Sequence, residues 1–101
     1  MSRLLDEKPL RFSPIIDDDH HYLLIGANLH VPYTPPNAKC VLVQAVVKDV
    51  RYTLDGTTPT ATIGFVLVAS AAPILIEFTE RIKLKFFGTD ATSVLQFCFG
   101  E

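Results

Sequence analysis

Two alternating runs on either side of an Asp-Gly turn constrain this chain more than any other feature. In residues 50–68, VRYTLDGTTPTATIGFVLV, Val50, Tyr52 and Leu54 alternate with Arg51 and Thr53, the period of a half-buried strand. The alternation stops at Asp55-Gly56-Thr57-Thr58-Pro59. Gly takes positive φ without a Cβ clash, Asp can accept a bond from the backbone that follows it, and Pro cannot continue a central ladder. From Thr62 the extended pattern resumes through Phe65, Leu67 and Ala69, so two strands are joined by a loop too long for a two-residue hairpin. Asp55, Gly56, Thr57 and Pro59 are therefore expected to be structural, with Gly56 at positive φ.

The rest of the chain repeats the strand signal. Residues 22–31 (YLLIGANLHV) form the first candidate, with Gly26 marking a bulge or a close backbone approach. Pro32, Pro35 and Pro36 then stiffen a connection to residues 39–47 (KCVLVQAVV), an almost continuous apolar run of the kind buried on both faces. Lys48 and Asp49 mark a short break after that run, unless it continues to Leu54 as one long strand bulged near Lys48, which is the favoured reading. Residues 70–73 turn the chain into a strand over 73–78. Beyond it, Ile82, Leu84 and Phe86 alternate with Arg81, Lys83 and Lys85. After a turn at 88–90, Leu95, Phe97 and Phe99 mark the inner face of the last strand, with Val94, Gln96 and Cys98 outward. No segment has a helical period. The pattern predicts an all-β domain over residues 20–101, an antiparallel sandwich or jelly-roll-like barrel of about six to eight strands. In it Ile82, Leu84, Phe86, Leu95, Phe97 and Phe99 share one core between two sheets.

Residues 1–19 differ from the rest. Leu4, Leu5, Leu10, Phe12, Ile15 and Ile16 are interspersed with charges, and Pro9 and Pro14 favour an extended arm. The alternative is a loosely attached terminus. The six apolar residues point to an arm that docks on another subunit. The charges on both sides of the leucine pair do not read as a secretory signal.

With 101 residues the chain is long enough for one domain that buries about two-thirds of its unfolded surface. The hydrophobic content of 49% and mean hydropathy of +0.29 come without any apolar run near the ~18 residues of a spanning helix. Such a surplus implies apolar surface buried against another chain, with no membrane partner. A net charge of −2 without a basic cluster argues against nucleic acid. Cys40 and Cys98 lie in apolar runs and are expected to be buried thiols.

Only residues 17–21, Asp17, Asp18, Asp19, His20 and His21, resemble metal chemistry. Consecutive residues of an extended segment point to opposite faces, so a solvated acidic turn outweighs a metal site there. His30 stands alone and is expected to be a satisfied or exposed histidine. Asp17, His20 and Ser93 are the residue types of a nucleophilic triad, but no pattern brings them together, and an enzyme is the least favoured class. No cofactor motif is present.

Residues 36–99 resemble small structural proteins of tailed bacteriophages. The likeness lies in the apolar strand VLVQAVV, in the step Val50, Arg51, Tyr52, and in a DGTxPTAxxGxxL segment. The residues of that segment are Asp55, Gly56, Thr57, Pro59, Thr60, Ala61, Gly64 and Leu67. Ile82, Lys83 and Leu84 before Phe86, and the Ala91-Thr92 pair before the last strand, extend it. The arm lies outside the match. The resemblance implies a β-sandwich virion protein of the head decoration or cement type, located in the virion and assembled in the host cytoplasm. Its partners would be the major capsid protein or other virion subunits, and it would form a homo-oligomer, trimer or dimer. Alternatives are a neck, tail or baseplate accessory protein, or a carbohydrate- or ligand-binding sandwich using Tyr22, Tyr33 and Tyr52.

Overall fold

The computed structural model describes residues 20–78 and 82–101. The expectations for the arm, its six apolar residues and Asp17, Asp18 and Asp19 fall outside the described residues. Eight strands occur among those described: β1 (His21–Leu24), β2 (Leu29–His30), β3 (Cys40–Val47), β4 (Val50–Thr53), β5 (Phe65–Leu67), β6 (Ile74–Glu77), β7 (Lys85–Gly88) and β8 (Val94–Gly100). They form two antiparallel four-stranded sheets, sheet A in the order β1-β8-β3-β6 and sheet B in the order β2-β7-β4-β5. The fold is the all-β antiparallel sandwich that the period-two pattern predicts.

The core lies between the sheets. Sheet A contributes Val41, Val43 and Ala45 from β3 and Leu95, Phe97 and Phe99 from β8, while Val50, Leu67, Leu84 and Phe86 close it from the sheet B side. The register sets small against large: Val41 opposes Phe99, Val43 opposes Phe97, and Ala45 opposes Leu95. That pairing of small with large suits close packing between the sheets, and each fully buried Leu, Val or Phe adds roughly 1.5–3 kcal/mol. Leu84, Phe86, Leu95, Phe97 and Phe99 are buried together as their period predicts, with Ile82 packed at the margin. The basic side of that segment agrees in part: Lys83 is exposed and Lys85 half-buried, whereas residue 81 is not described.

Two sequence expectations are corrected. The run 39–54 is not one bulged strand: β3 ends at Val47, Lys48 takes φ 61°, and the chain crosses to β4 in the other sheet. The only register shift in β3 lies between Ala45 and Val47, where it turns Val47 outward opposite Val94. After the crossover Val50 enters the core at 0% exposure, a position a continuous strand would deny it. Likewise, residues 22–31 are two strands in different sheets. The backbone N–H groups of Ile25 and Gly26 both donate to the Ser93 carbonyl, at 3.0 and 3.2 Å, and Ile25 turns into the core. Gly26 marks a change of sheet and not a bulge, and the close backbone approach, the other expectation for it, is present: its carbonyl packs directly against Gly88.

Candidate functional site

The loop after β4 is a self-contained unit. Arg51 points outward from sheet B and donates from Nε to the Ala61 carbonyl at 3.0 Å and from a terminal nitrogen to the Gly64 carbonyl at 2.7 Å. Thr53 Oγ1 donates to the Thr57 carbonyl, and the Thr57 N–H donates to Asp55 Oδ1 at 3.0 Å, an Asx turn. That backbone bond holds the Asp55 carboxyl below its ordinary value. Gly56 takes φ 91°, as the Asp-Gly pair predicts, and its N–H donates to the Lys83 carbonyl while Lys83 N–H donates to Leu54, both at 3.2 Å. Pro59 is fully buried, and Thr60 Oγ1 accepts from the N–H groups of Thr62 and Ile63. The polar groups of Asp55, Thr57 and Thr60 thus bond within the loop. It folds over the outward side of β4 instead of presenting ligands.

His20 and His21 are divided between two faces. His21 turns inward and stacks on Phe97, ring centroids 4.7 Å apart at 17°, and His30 approaches the same ring at 6.0 Å. Burial, followed by the neighbouring His21, pushes His30 below its ordinary 6.5. The two imidazoles border an open hollow of about 660 Å³ that is otherwise lined largely by Leu, Pro, Tyr and Phe side chains. His20 turns outward instead, Nε2 lying 2.9 Å from Gln96 Oε1. No group of three or more His, Cys, Asp or Glu residues among those described is placed to hold a metal ion.

Of the residues that could be drawn as a triad, the two described, His20 and Ser93, are not brought together. Ser93 is fully buried at one end of the β1–β8 ladder, its Oγ accepting from the Asp90 N–H at 3.1 Å. His20 lies beyond the other end, next to the His21–Phe97 pair. Cys40 and Cys98 are both buried, and no disulfide joins them. Burial and then Glu77 push the Cys40 thiol up, away from the nucleophilic thiolate. The three tyrosines do not form one platform either: Tyr22 lies on the outer face of sheet A, Tyr33 in the loop after β2, and Tyr52 packs on Phe65 at 5.6 Å.

The feature the sequence pattern did not reveal is the outer face of sheet A. The pairings set Leu24, Val94 and Val47 in one row and Tyr22, Gln96 and Gln44 in the next. Cys98, Leu42 and Leu75 make a third. A polar chain crosses the middle: His20 meets Gln96 Oε1, Gln96 Nε2 donates to Gln44 Oε1 at 2.5 Å, and Gln44 Nε2 donates to the Ala71 carbonyl at 2.8 Å. Within the four strands only Glu77 carries a formal charge. The signal was present in part, in the double-sided apolar run of β3, but joining it to Tyr22 and Leu24 requires the long-range β1–β8 pairing.

No protein-family model, curated protein or solved structure matches this chain. No helix among the described residues is long and apolar enough to cross a membrane.

Proposed function

We propose that this chain is a structural subunit of a tailed-bacteriophage virion, a capsid decoration or cement protein that binds the head lattice and stabilises it as a homo-oligomer. Its partners are the major capsid protein or other virion subunits, and it performs no catalytic step. The observation that carries this reading is the combination of a small antiparallel β-sandwich with large apolar side chains left at its surface. Leu24 is 70% exposed, Phe65 65% and Tyr22 59%. Surface of this kind suits a module that acts by covering junctions between subunits, where many weak contacts add by avidity. The resemblance of residues 36–99 to phage structural proteins is the ground for proposing a virion context. The arm residues Leu4, Leu5, Leu10, Phe12, Ile15 and Ile16 are the proposed contacts to the lattice.

The test is to add the purified full chain to particles that lack it and to locate and count the bound copies by cryo-electron microscopy. Hundreds of copies on the head shell are expected. A ring of about six or twelve copies on the tail axis would move the protein to the neck or tail, and failure to bind any part of the particle would remove the proposal.

A further inference from the structure

We propose that Asp55 is a modification site: the Asp55-Gly56 bond is where this chain forms isoaspartate, inert while the loop after β4 is closed and reactive when that loop opens. The inference goes beyond the virion reading and does not depend on it.

The chemistry begins in the sequence. The backbone nitrogen after an aspartate can attack the side-chain carboxyl carbon. A C–N bond forms, a carboxyl oxygen leaves as water with the amide and carboxyl hydrogens, and a five-membered succinimide results. Water then adds at either carbonyl, restoring aspartate or giving isoaspartate, whose main chain runs through the side chain and is one methylene longer. A Cβ on the following residue crowds the attacking nitrogen, so glycine is the most permissive neighbour. Asp55-Gly56 is the one Asp-Gly pair in the sequence, and Asn-Gly does not occur. The other described aspartates, Asp49 and Asp90, precede Val50 and Ala91. Asp55 is exposed, so water reaches it.

The closed loop opposes each requirement of ring closure. The carboxyl must be protonated to lose water, yet Asp55 Oδ1 accepts the Thr57 N–H at 3.0 Å, a bond that favours the carboxylate. The nitrogen must give up its proton, yet the Gly56 N–H donates to the Lys83 carbonyl at 3.2 Å. The carboxyl carbon must swing over that nitrogen, yet its partner Thr57 is itself held, because the buried Thr53 donates from Oγ1 to the Thr57 carbonyl. The Lys83 N–H donates to the Leu54 carbonyl at 3.2 Å, so the bonds to Lys83 flank Asp55 on both sides. A loop that lifts off Lys83 frees the nitrogen and the carboxylate in one event. The rate in the folded protein is then the rate of the unfolded segment multiplied by the fraction of time the loop is open. Once formed, isoaspartate adds a methylene between Leu54 and Gly56, so both can no longer meet Lys83 in the native register.

The experiment ages the full chain in mildly acidic buffer, folded and in guanidinium chloride, and measures isoaspartate at residue 55 by peptide mapping with electron-transfer fragmentation. Hydrogen exchange of the Gly56 N–H, read by NMR, measures loop opening independently. Isoaspartate is expected at residue 55 in the unfolded chain and about tenfold or more slowly in the folded one, the slowing matching the exchange protection of the Gly56 N–H. Thr57→Pro removes the N–H that Asp55 accepts, and Thr53→Val removes the hydroxyl that holds Thr57 while keeping the size of the buried side chain. Both are expected to speed isomerisation in the folded chain. Isomerisation of the folded parent at the unfolded rate overturns the proposal, and so does its absence from residue 55 in the unfolded chain. A slowing that does not match the Gly56 protection also overturns it, since the block then lies outside the loop bonds. So does a folded Thr53→Val chain that isomerises no faster than the parent. Should Thr57→Pro fail to fold, Thr53→Val and the exchange comparison decide without it.

Discussion

A Cβ built on Gly88 would stand 1.7 Å from the carbonyl oxygen of Gly26 and 2.9 Å from its carbonyl carbon. The crossing from β1 to β2 thus runs against the end of β7 with no room for a side chain, and the Gly88 N–H donates to the Asn28 carbonyl at 3.2 Å. Neither obstacle is a side-chain tip that could swing away. Gly88→Ala must push two backbone segments apart and is expected to cost about 3 kcal/mol or more. Urea unfolding would show this as a lower midpoint at unchanged slope. A midpoint equal to the parent's would contradict the close approach.

Gly56→Val tests the loop after β4. At φ 91° an L-residue meets its own backbone, and a Cβ there would also lie 3.2 Å from Lys83 Cδ. The left-handed region costs a non-glycine residue about 1–2 kcal/mol, more when it is β-branched. A loss of about 2 kcal/mol in chemical denaturation is expected, and a harmless substitution would show the turn to be remade without it.

Phe97 is the aromatic centre of the core, in contact with Phe86 and Phe99 at 5.9 Å and with both inward histidines. It is 3% exposed. Phe97→Ala is expected to cost about 3–5 kcal/mol. It should also shift the ring resonances of His21 and His30 in the NMR spectrum, which a loss confined to a remote site would leave in place.

Acid should weaken the fold in two steps. Burial lowers His30 from 6.5, so on acidification the unfolded chain takes up this proton first; stability is full above 6.5 and declines as pH falls below that value toward the lowered one. Asp55 and Asp90 are held below 3.8 chiefly by the backbone N–H groups of Thr57 and Thr92, so their contribution is present above 3.8 and is lost as pH falls through the lowered values. Melting temperature against pH should therefore show an upper step that His30→Gln flattens and a lower one that it leaves. An upper step unchanged in the variant would assign it to another group.

The parts of this fold that sequence made legible are those where one face is apolar and the other is not. Ile82, Leu84 and Phe86, and Leu95, Phe97 and Phe99, announce their burial by period two alone. The break after Val47 was legible only as the less favoured of two readings, because Lys48-Asp49 can end a strand or carry a bulge, and a lysine at φ 61° has no signature of its own in sequence. Gly26 was ambiguous for a different reason: a bulge and a change of sheet both use glycine. The histidines were legible as neighbours that face opposite ways, but Phe97 as the partner of His21 and Gln96 as that of His20 depend on the β1–β8 register. Pairings between residues some 75 positions apart leave no local trace in a chain.

β8 lies between β1 and β3, and it is the last of the eight strands to be synthesised. Until it emerges from the ribosome, β1 has no hydrogen-bonded neighbour in sheet A and β3 has only β6. The sheet is completed by inserting its final strand down the middle, and the outer face that carries the glutamine pair does not exist before that event. Closure of sheet A therefore waits on a contact distant in sequence, because neither β1 nor the inner edge of β3 has its partner until β8 docks between them.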